Sequence, residues 1–375
     1  MGHGIFEISV NSIKLIVVFL LIVQAVPVLV WLERRGSAFI QNRLGPNRIG
    51  PLGLMQLLAD AVKFFFKEEF APEKAVKVLY YAAPIFALIP ATLAFAAIPL
   101  GQTIQWNEHV FRIQGYDINV GIVFVLAVSS LAPYSILMAG WGSGNKYALM
   151  GALRASAQVI SYELALGLSI VGMIMLYGTF NLSEMIQAQQ TALSYSFFGM
   201  TFTAPSWLPA WGIFYQPLGA VIFFASSFAE SNRLPFDLAE GEAELVAGFH
   251  VEYGGFKMLL FFIGEYGHMI VASALMVLFY FGGYWGVPGI SLADLNQWAA
   301  NHTSSANMAS LIAGLITFLC FSVKLAVFLW IFIQVRWTLP RFRYDQLMEL
   351  GWKTMLPWAL FNTIATAAFV YAAHL

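Results

Sequence analysis

The chain has 375 residues, with 19 Lys and Arg against 20 Asp and Glu; 59% of it is hydrophobic and only 10% is charged, where a soluble domain carries about 25% charged residues. With a mean hydropathy of +0.73 it reads as an integral membrane protein, and its near-neutral balance offers no nucleic-acid surface. The single cysteine, Cys320, lies in an apolar run, which excludes an internal disulfide, a Cys-ligated zinc and a Cys-held iron–sulfur cluster. Of the six histidines, His3, His109, His250, His268, His302 and His374, only His268 stands well inside a long apolar segment, so a bis-His haem is not expected.

A bilayer core about 30 Å thick needs roughly 20 apolar residues in a helix. On that length the chain predicts eight spans, at about 12–32, 79–100, 118–140, 152–177, 212–230, 257–282, 311–335 and 354–373. No β-barrel alternation is present. The expected fold is therefore an all-α integral membrane protein, a bundle of about eight transmembrane helices plus an interfacial amphipathic helix, with residues 1–375 as a single membrane domain. The first run is followed by positive charge, in WLERRG, rather than preceded by it, so it reads as a retained helix and not as a signal peptide.

Between the first two spans, GLMQLLADAVKFFFKEE (Gly53 to Glu69) sets Gln56, Asp60, Lys63 and Lys67 on one narrow polar stripe of an otherwise apolar helix. Such a helix lies in the interface, or packs under the bundle mouth with its stripe toward a polar cavity. All Lys and Arg except Lys14, Arg112 and Lys324 fall in the odd-numbered loops or at their helix ends. That asymmetry predicts both termini outside and the odd loops facing the cytoplasm or its equivalent. The even loops, at about 101–117, 178–211 and 283–310, are rich in Gln, Asn, Ser, Thr and Pro and carry no recognisable chemistry. No internal repeat is visible.

Four ionisable residues stand within or at the edges of spans: Glu163, Glu230, Glu265, which His268 follows by one turn, and Lys324. Each is costly to bury unpaired and should meet a partner charge or an interior water path. The stretch FAESNRLPFDLAEGEAELVAGFHVEY, Phe228 to Tyr253, gathers Glu230, Asp237, Glu240, Glu242, Glu244 and Glu252 against one basic residue, Arg233. Within it LAEGEAELVAG can form a short helix that puts Glu240 and Glu244 on one face, where like charges raise each other's proton affinity and titrate as a coupled group. Apolar Leu234, Phe236, Leu238, Leu245, Val246 and Phe249 are woven through it, which speaks against a simply solvated acidic loop. No Walker A, dinucleotide, zincin or nucleophile-elbow motif occurs, and no hydrolytic triad can be assembled. The residues alone describe a bundle with an acidic chamber at its inner face, leading to intramembrane Glu163, Glu265 and Lys324: a proton path, or a site for an amphipathic ligand.

Four segments, in order, carry a resemblance: ERRGSAFIQNRLGPNRIGPLGLMQLLADAVKFFFKE, SSLAPYSILMAGWGSGNKYALMGALRASAQVISYE, FAESNRLPFDLAEGEAELVAGFHVEY and LPRFRYDQLM. They resemble the family of the H membrane subunit of proton-pumping NADH:quinone oxidoreductase, respiratory complex I, whose mitochondrial counterpart is NADH dehydrogenase subunit one. The resemblance spans nearly the whole chain, which departs from compact members mainly in longer outer loops, notably 178–211.

The resemblance implies a subunit at the junction of membrane and peripheral arms, with inner loops 33–78 and 231–256 forming the face of a quinone chamber. It implies a chamber built from Glu33, Arg34, Arg43, Asp60, Lys63, Glu230, Arg233 and Phe236, and a proton path through Glu163, Glu230, Glu240, Glu242, Glu244, Glu252, Glu265 and Lys324. Arg233, Arg341 and Arg343 are expected to neutralise neighbouring carboxylates. Quinone, such as ubiquinone, would be the substrate, with iron–sulfur clusters and flavin only on partner subunits and none bound by this chain. Partners would be iron–sulfur quinone-site subunits, antiporter-like membrane subunits and the lipid bilayer, in an energy-conserving membrane such as the bacterial inner membrane. The alternatives are the homologous subunit of an energy-converting hydrogenase or formate-oxidising complex, and a stand-alone proton-coupled transporter.

Overall fold

In lipid the backbone of an apolar run must satisfy its own hydrogen bonds, so these runs form helices. The computed structural model describes residues 2–107, 109–191, 193–197, 200–203, 205, 208–237, 248–285, 287, 289–303 and 305–374. Its principal helices are α1 (Gly2–Ile40), α2 (Gln56–Phe66), α3 (Lys77–Ala96), α4 (Gly121–Ser129), α5 (Ala132–Gly142), α6 (Lys146–Tyr177) and α7 (Leu182–Ala188). They continue with α8 (Pro217–Glu230), α9 (Gly255–Tyr280), α10 (Leu292–His302), α11 (Ala306–Thr338) and α12 (Leu356–His374), the last preceded by a short helix, Tyr344–Glu349. Among the described residues seven helical stretches are long and apolar enough to cross a membrane, and α8 is a shorter apolar helix. The only strands among them are two antiparallel hairpins, Ile104–Trp106 with His109–Phe111 and Ser194–Phe197 with Met200–Thr203.

Four elements differ from the sequence reading, two of them broken beside a proline. The span expected at about 118–140 is two helices, α4 and α5, joined at Ser130 and Leu131. Pro133 lacks an amide hydrogen and its ring crowds the carbonyl four residues back, that of Ser129, so it sits in the first turn of a new helix rather than inside a continuous one. The span expected at about 212–230 is also broken: one turn, Gly212–Tyr215, then Gln216 at φ −135° and ψ 66°, then α8. Pro217 pushes the residue before it out of the helical region. The 14 residues of α8 rise about 21 Å, less than a bilayer core. Finally, α1 and α11 extend well past the expected limits, so Glu33, Arg34 and Arg336 stand on helices rather than in loops.

The helices meet through small residues, as close packing in lipid requires. A Cβ on Gly264 would lie 2.7 Å from the Ala87 carbonyl oxygen, and one on Gly267 would lie 2.8 Å from the Ala91 side chain, so α9 and α3 cross nearly backbone to backbone. Helix α9 is the centre of the bundle: 83% of its apolar window is buried, against 22% for α1 and for the stretch that contains α12. Those two present exposed apolar faces, among them Ile16, Leu20, Leu360 and Ile364.

Candidate functional site

The site begins where α8 ends. Glu230 closes the helix, Asn232 takes a positive φ of 49°, and the chain turns back. The Arg233 amide donates to the Phe228 carbonyl at 3.1 Å, and the Phe236 amide donates to the Arg233 carbonyl at 2.8 Å. Gln158 on α6, fully buried, donates its amide to the Ala229 carbonyl at 3.0 Å and to the Phe236 carbonyl at 2.6 Å, so one side chain ties both ends of the turn. The turn delivers the Arg233 side chain into the bundle, where it is 6% exposed.

Arg233 stands between two carboxylates from different helices. Its guanidinium is 3.9 Å from Glu33 on α1 and 4.0 Å from Glu265 on α9, and it lies 3.9 Å above the Tyr266 ring. Glu33 also pairs with Arg336 on α11 and accepts a hydrogen bond from the Tyr266 hydroxyl at 2.5 Å. His250 places its Nε2 3.6 Å from Glu265. Three helices and one loop thus contribute alternating charges to one buried cluster, the arrangement that makes buried charge tolerable.

Beyond Glu265 the polar line continues through a small cavity. Glu230, Asn232, Ser135, Glu265 and His268 line it among apolar neighbours, and its volume, about 30 Å³, is room for one or two water molecules. On its far side Glu230 rests against the Ser129 hydroxyl and lies close enough to Glu163 for their charges to repel. Glu163 accepts a hydrogen bond from Ser130. Both hydroxyls thus come from the junction of α4 and α5, where the Ser130 hydroxyl also lies 2.9 Å from the Leu126 carbonyl one turn back.

The structure brings Glu33, Arg233, Glu265, Glu230 and Glu163 together, and it separates the rest. On α2, Asp60 accepts from Arg34 at 2.5 Å and from Gln56 at 3.0 Å, near the end of α1 that carries Glu33. Lys63 is exposed, and Lys67 falls past the end of α2, where the backbone is extended, so the polar stripe is one residue shorter than expected. Arg43 is exposed on the loop between α1 and α2 with Gln41 as its partner at 2.6 Å. Phe236 is a core residue, 5.2 Å from the Tyr162 ring. Glu252 accepts from Asn145 at 2.8 Å beside the start of α6. Glu240, Glu242 and Glu244 lie outside the described residues.

Lys324 stands apart from the cluster. Its ammonium donates to the carbonyls of Phe281, Gly283 and Trp285 at 2.7, 3.2 and 2.5 Å, capping the far end of α9. Phe281 is sixteen residues beyond Glu265, about 24 Å along a helix. Of the expected neutralising arginines, Arg341 pairs with buried Asp237 at 3.0 Å, whereas Arg343 pairs with exposed Asp345 at 2.9 Å.

Ser129, Ser130, Gln158, His250 and Tyr266 escaped the sequence reading as site residues. Only the serines left a usable signal, a Ser-Ser pair four and three residues ahead of a proline within an apolar run. No group of three or more His, Cys, Asp or Glu able to hold a metal occurs among the described residues.

Comparison with known proteins places this geometry in context. A family model described as NADH dehydrogenase matches residues 13–367. The chain is 69% identical to the H subunit of the NADH-quinone oxidoreductase of Bdellovibrio bacteriovorus, with 100% of each chain covered. It is 45% identical to the corresponding H subunit, numbered 1, of Cytophaga hutchinsonii, over 90% of each chain, and 43% identical to that of Geobacter metallireducens, over 96% of each.

Proposed function

The chain belongs to the NADH dehydrogenase family, as an H subunit of NADH-quinone oxidoreductase, and on that premise we propose that it walls a quinone chamber and passes the electrostatic consequence of quinone reduction into the membrane. It is a subunit of an oxidoreductase complex, and other subunits of that complex are its partners. In this reading the chamber face comprises Arg34, Asp60 and the inner end of α1, with Glu240, Glu242 and Glu244 contributing from the fifth loop. Quinone is the substrate; iron–sulfur subunits deliver electrons to it, and antiporter-like subunits receive the effect. The flavin and the iron–sulfur clusters belong to those partners.

The observation that carries the reading is the line from Glu33 through Arg233, Glu265 and the water-sized cavity to Glu230 and Glu163. Negative charge or proton demand at the chamber changes the field on Glu33 and Arg233. Arg233 is shared between two carboxylates, so a closer approach to Glu33 weakens its hold on Glu265 and raises the proton affinity of Glu265. The cavity then links Glu265 to Glu230, whose charge already opposes that of Glu163. The proposal also assigns the chain to a bacterial inner membrane with both termini on the outer side, in keeping with its loop charges.

The test uses the assembled complex in proteoliposomes, with Glu265→Gln and Glu163→Gln variants compared for quinone reduction and for proton uptake. Coupled quinone reduction should fall in both while the complex still assembles. Full proton pumping in both would refute the proposed path.

A further inference from the structure

Lys14 and Arg112 fall outside the Lys- and Arg-rich loops, and the fold brings them together although 98 positions separate them in the chain. Lys14 projects from α1 and Arg112 follows the first hairpin; both line one cavity of about 290 Å³ with Asn11, Gln114, Tyr116 and Asp117. The two positive charges lie close enough to repel each other. A pair of like charges at an apolar boundary is unfavourable unless an anion sits between them.

The one carboxylate in the cavity is already engaged. Asp117 pairs with Arg112 through one oxygen and accepts from Asn181 at 3.3 Å through the other. Among the described residues Lys14 makes no ion pair. Arg112 has five N–H donors, more than one carboxylate oxygen can use, and its side chain is 53% exposed.

Two further observations indicate what the anion is attached to. Toward the membrane, the cavity is bounded on α1 by Leu15, an apolar side chain that is 41% exposed. Away from it, Arg112, Gln114 and Asp117 also line a second cavity of about 860 Å³, whose wall is rich in carboxamides: Gln102, Gln105, Gln187 and Asn296. Carboxamides offer both donors and acceptors and so suit hydroxyl groups. Acyl chains on one side, an anion in the middle and hydroxyls beyond are the parts of a single molecule.

We propose that these joined cavities hold one anionic phospholipid with a hydroxylated headgroup, its phosphate between Lys14 and Arg112, its glycerol group among the carboxamides and its acyl chains along α1. The site is separate from the carboxylate line, which runs near the opposite ends of α1 and α9.

The assembled complex, delipidated in detergent, is titrated with phosphatidylglycerol, with phosphatidylcholine and with inorganic phosphate. Native mass spectrometry reads bound lipid, and an amine-acylating reagent with peptide mapping reads the accessibility of Lys14. Phosphatidylglycerol should be retained and should shield Lys14; phosphatidylcholine and phosphate should do neither. A Lys14→Gln, Arg112→Gln double variant should half-saturate at roughly thirtyfold higher phosphatidylglycerol, from about fivefold per surface cation. Equal shielding by either lipid, or by phosphate alone, overturns the proposal. So does a Lys14 that stays shielded in the delipidated complex, which would mean that a partner subunit fills the cavity. If the double variant fails to assemble, the labelling of the unaltered complex decides alone.

Discussion

The Arg233 guanidinium is shared between Glu33 at 3.9 Å and Glu265 at 4.0 Å, at nearly equal distances, so one cation joins the first helix of the bundle to its central one. Neither contact is a short, committed salt bridge. A change in the field on either carboxylate therefore acts on the guanidinium between them, which is the physical content of the coupling proposed above.

Replacing that cation tests its structural share. Arg233→Gln leaves Glu33 with Arg336 but takes from Glu265 its nearby guanidinium. Removing one partner of a buried ion pair costs about 3–5 kcal/mol, so the complex should lose thermal stability or assemble poorly. Arg233→Lys should retain assembly and part of the activity. The checks are the yield of assembled complex and its heat-inactivation midpoint.

Ser130→Ala removes the hydroxyl that donates to Glu163 and leaves the helix break before Pro133 in place. A hydrogen bond to a charged group contributes about 1.5–3 kcal/mol, enough for about a tenfold effect on proton uptake during turnover. Ser130→Thr should restore most of it. The readout is proton uptake per quinone reduced, in proteoliposomes.

Gly264→Val probes the crossing of α9 and α3. Its Cβ would fall 2.7 Å from the Ala87 carbonyl oxygen, which belongs to backbone and cannot swing away. Overpacking of this kind costs about 1–3 kcal/mol, and the cavity between Glu230 and Glu265 lies along the same crossing. The expected outcome is lower thermal stability and slower coupled turnover, while Gly167→Ala, where nothing lies within 4 Å, should change neither.

Lys324→Met leaves three carbonyls at the end of α9 without their ammonium cap. Stability should fall by about 1–3 kcal/mol. The proton-to-electron ratio should hold, because the cap stands far from the carboxylate line. A lowered ratio would return Lys324 to the proton path.

Acid should weaken α10 first at its start. Asp294 accepts from the Ser291 hydroxyl at 2.7 Å and from the Ser291 amide at 2.9 Å, and these bonds hold its carboxyl below the usual aspartate value. A folded-state pKa below the unfolded one adds stability above the unfolded value, and that stability is lost as pH falls through the folded value. Protection of the amides in 292–296, read as hydrogen exchange relative to the intrinsic rate at each pH, should therefore fall below about pH 4, and Ser291→Ala should remove that pH dependence.

Much of the molecule was legible in the chain. Apolar runs of bilayer length needed no partner to be read as helices, because lipid leaves the backbone no other choice. The intramembrane Glu163 and Glu265 announced themselves by their cost, and the motifs of the loops led to the family. What the chain could not disclose is who faces whom. Glu33 reads as one acid in a basic loop, yet α1 continues as a helix and carries it inward to Arg233, Tyr266 and Arg336. Ser129 and Ser130 read as ordinary polar residues in a span, and only the packing sets their hydroxyls against Glu230 and Glu163 on other helices. Lys324 reads as one more intramembrane charge, and only the packing shows that its ammonium meets the carbonyls of Phe281, Gly283 and Trp285. Hydropathy and periodicity act along one helix, so sequence alone decided where the helices are. Pairing of buried charges depends on distances between helices, and only the tertiary structure, through the glycine-lined crossing of α9 with α3 and the turn after α8, decided those.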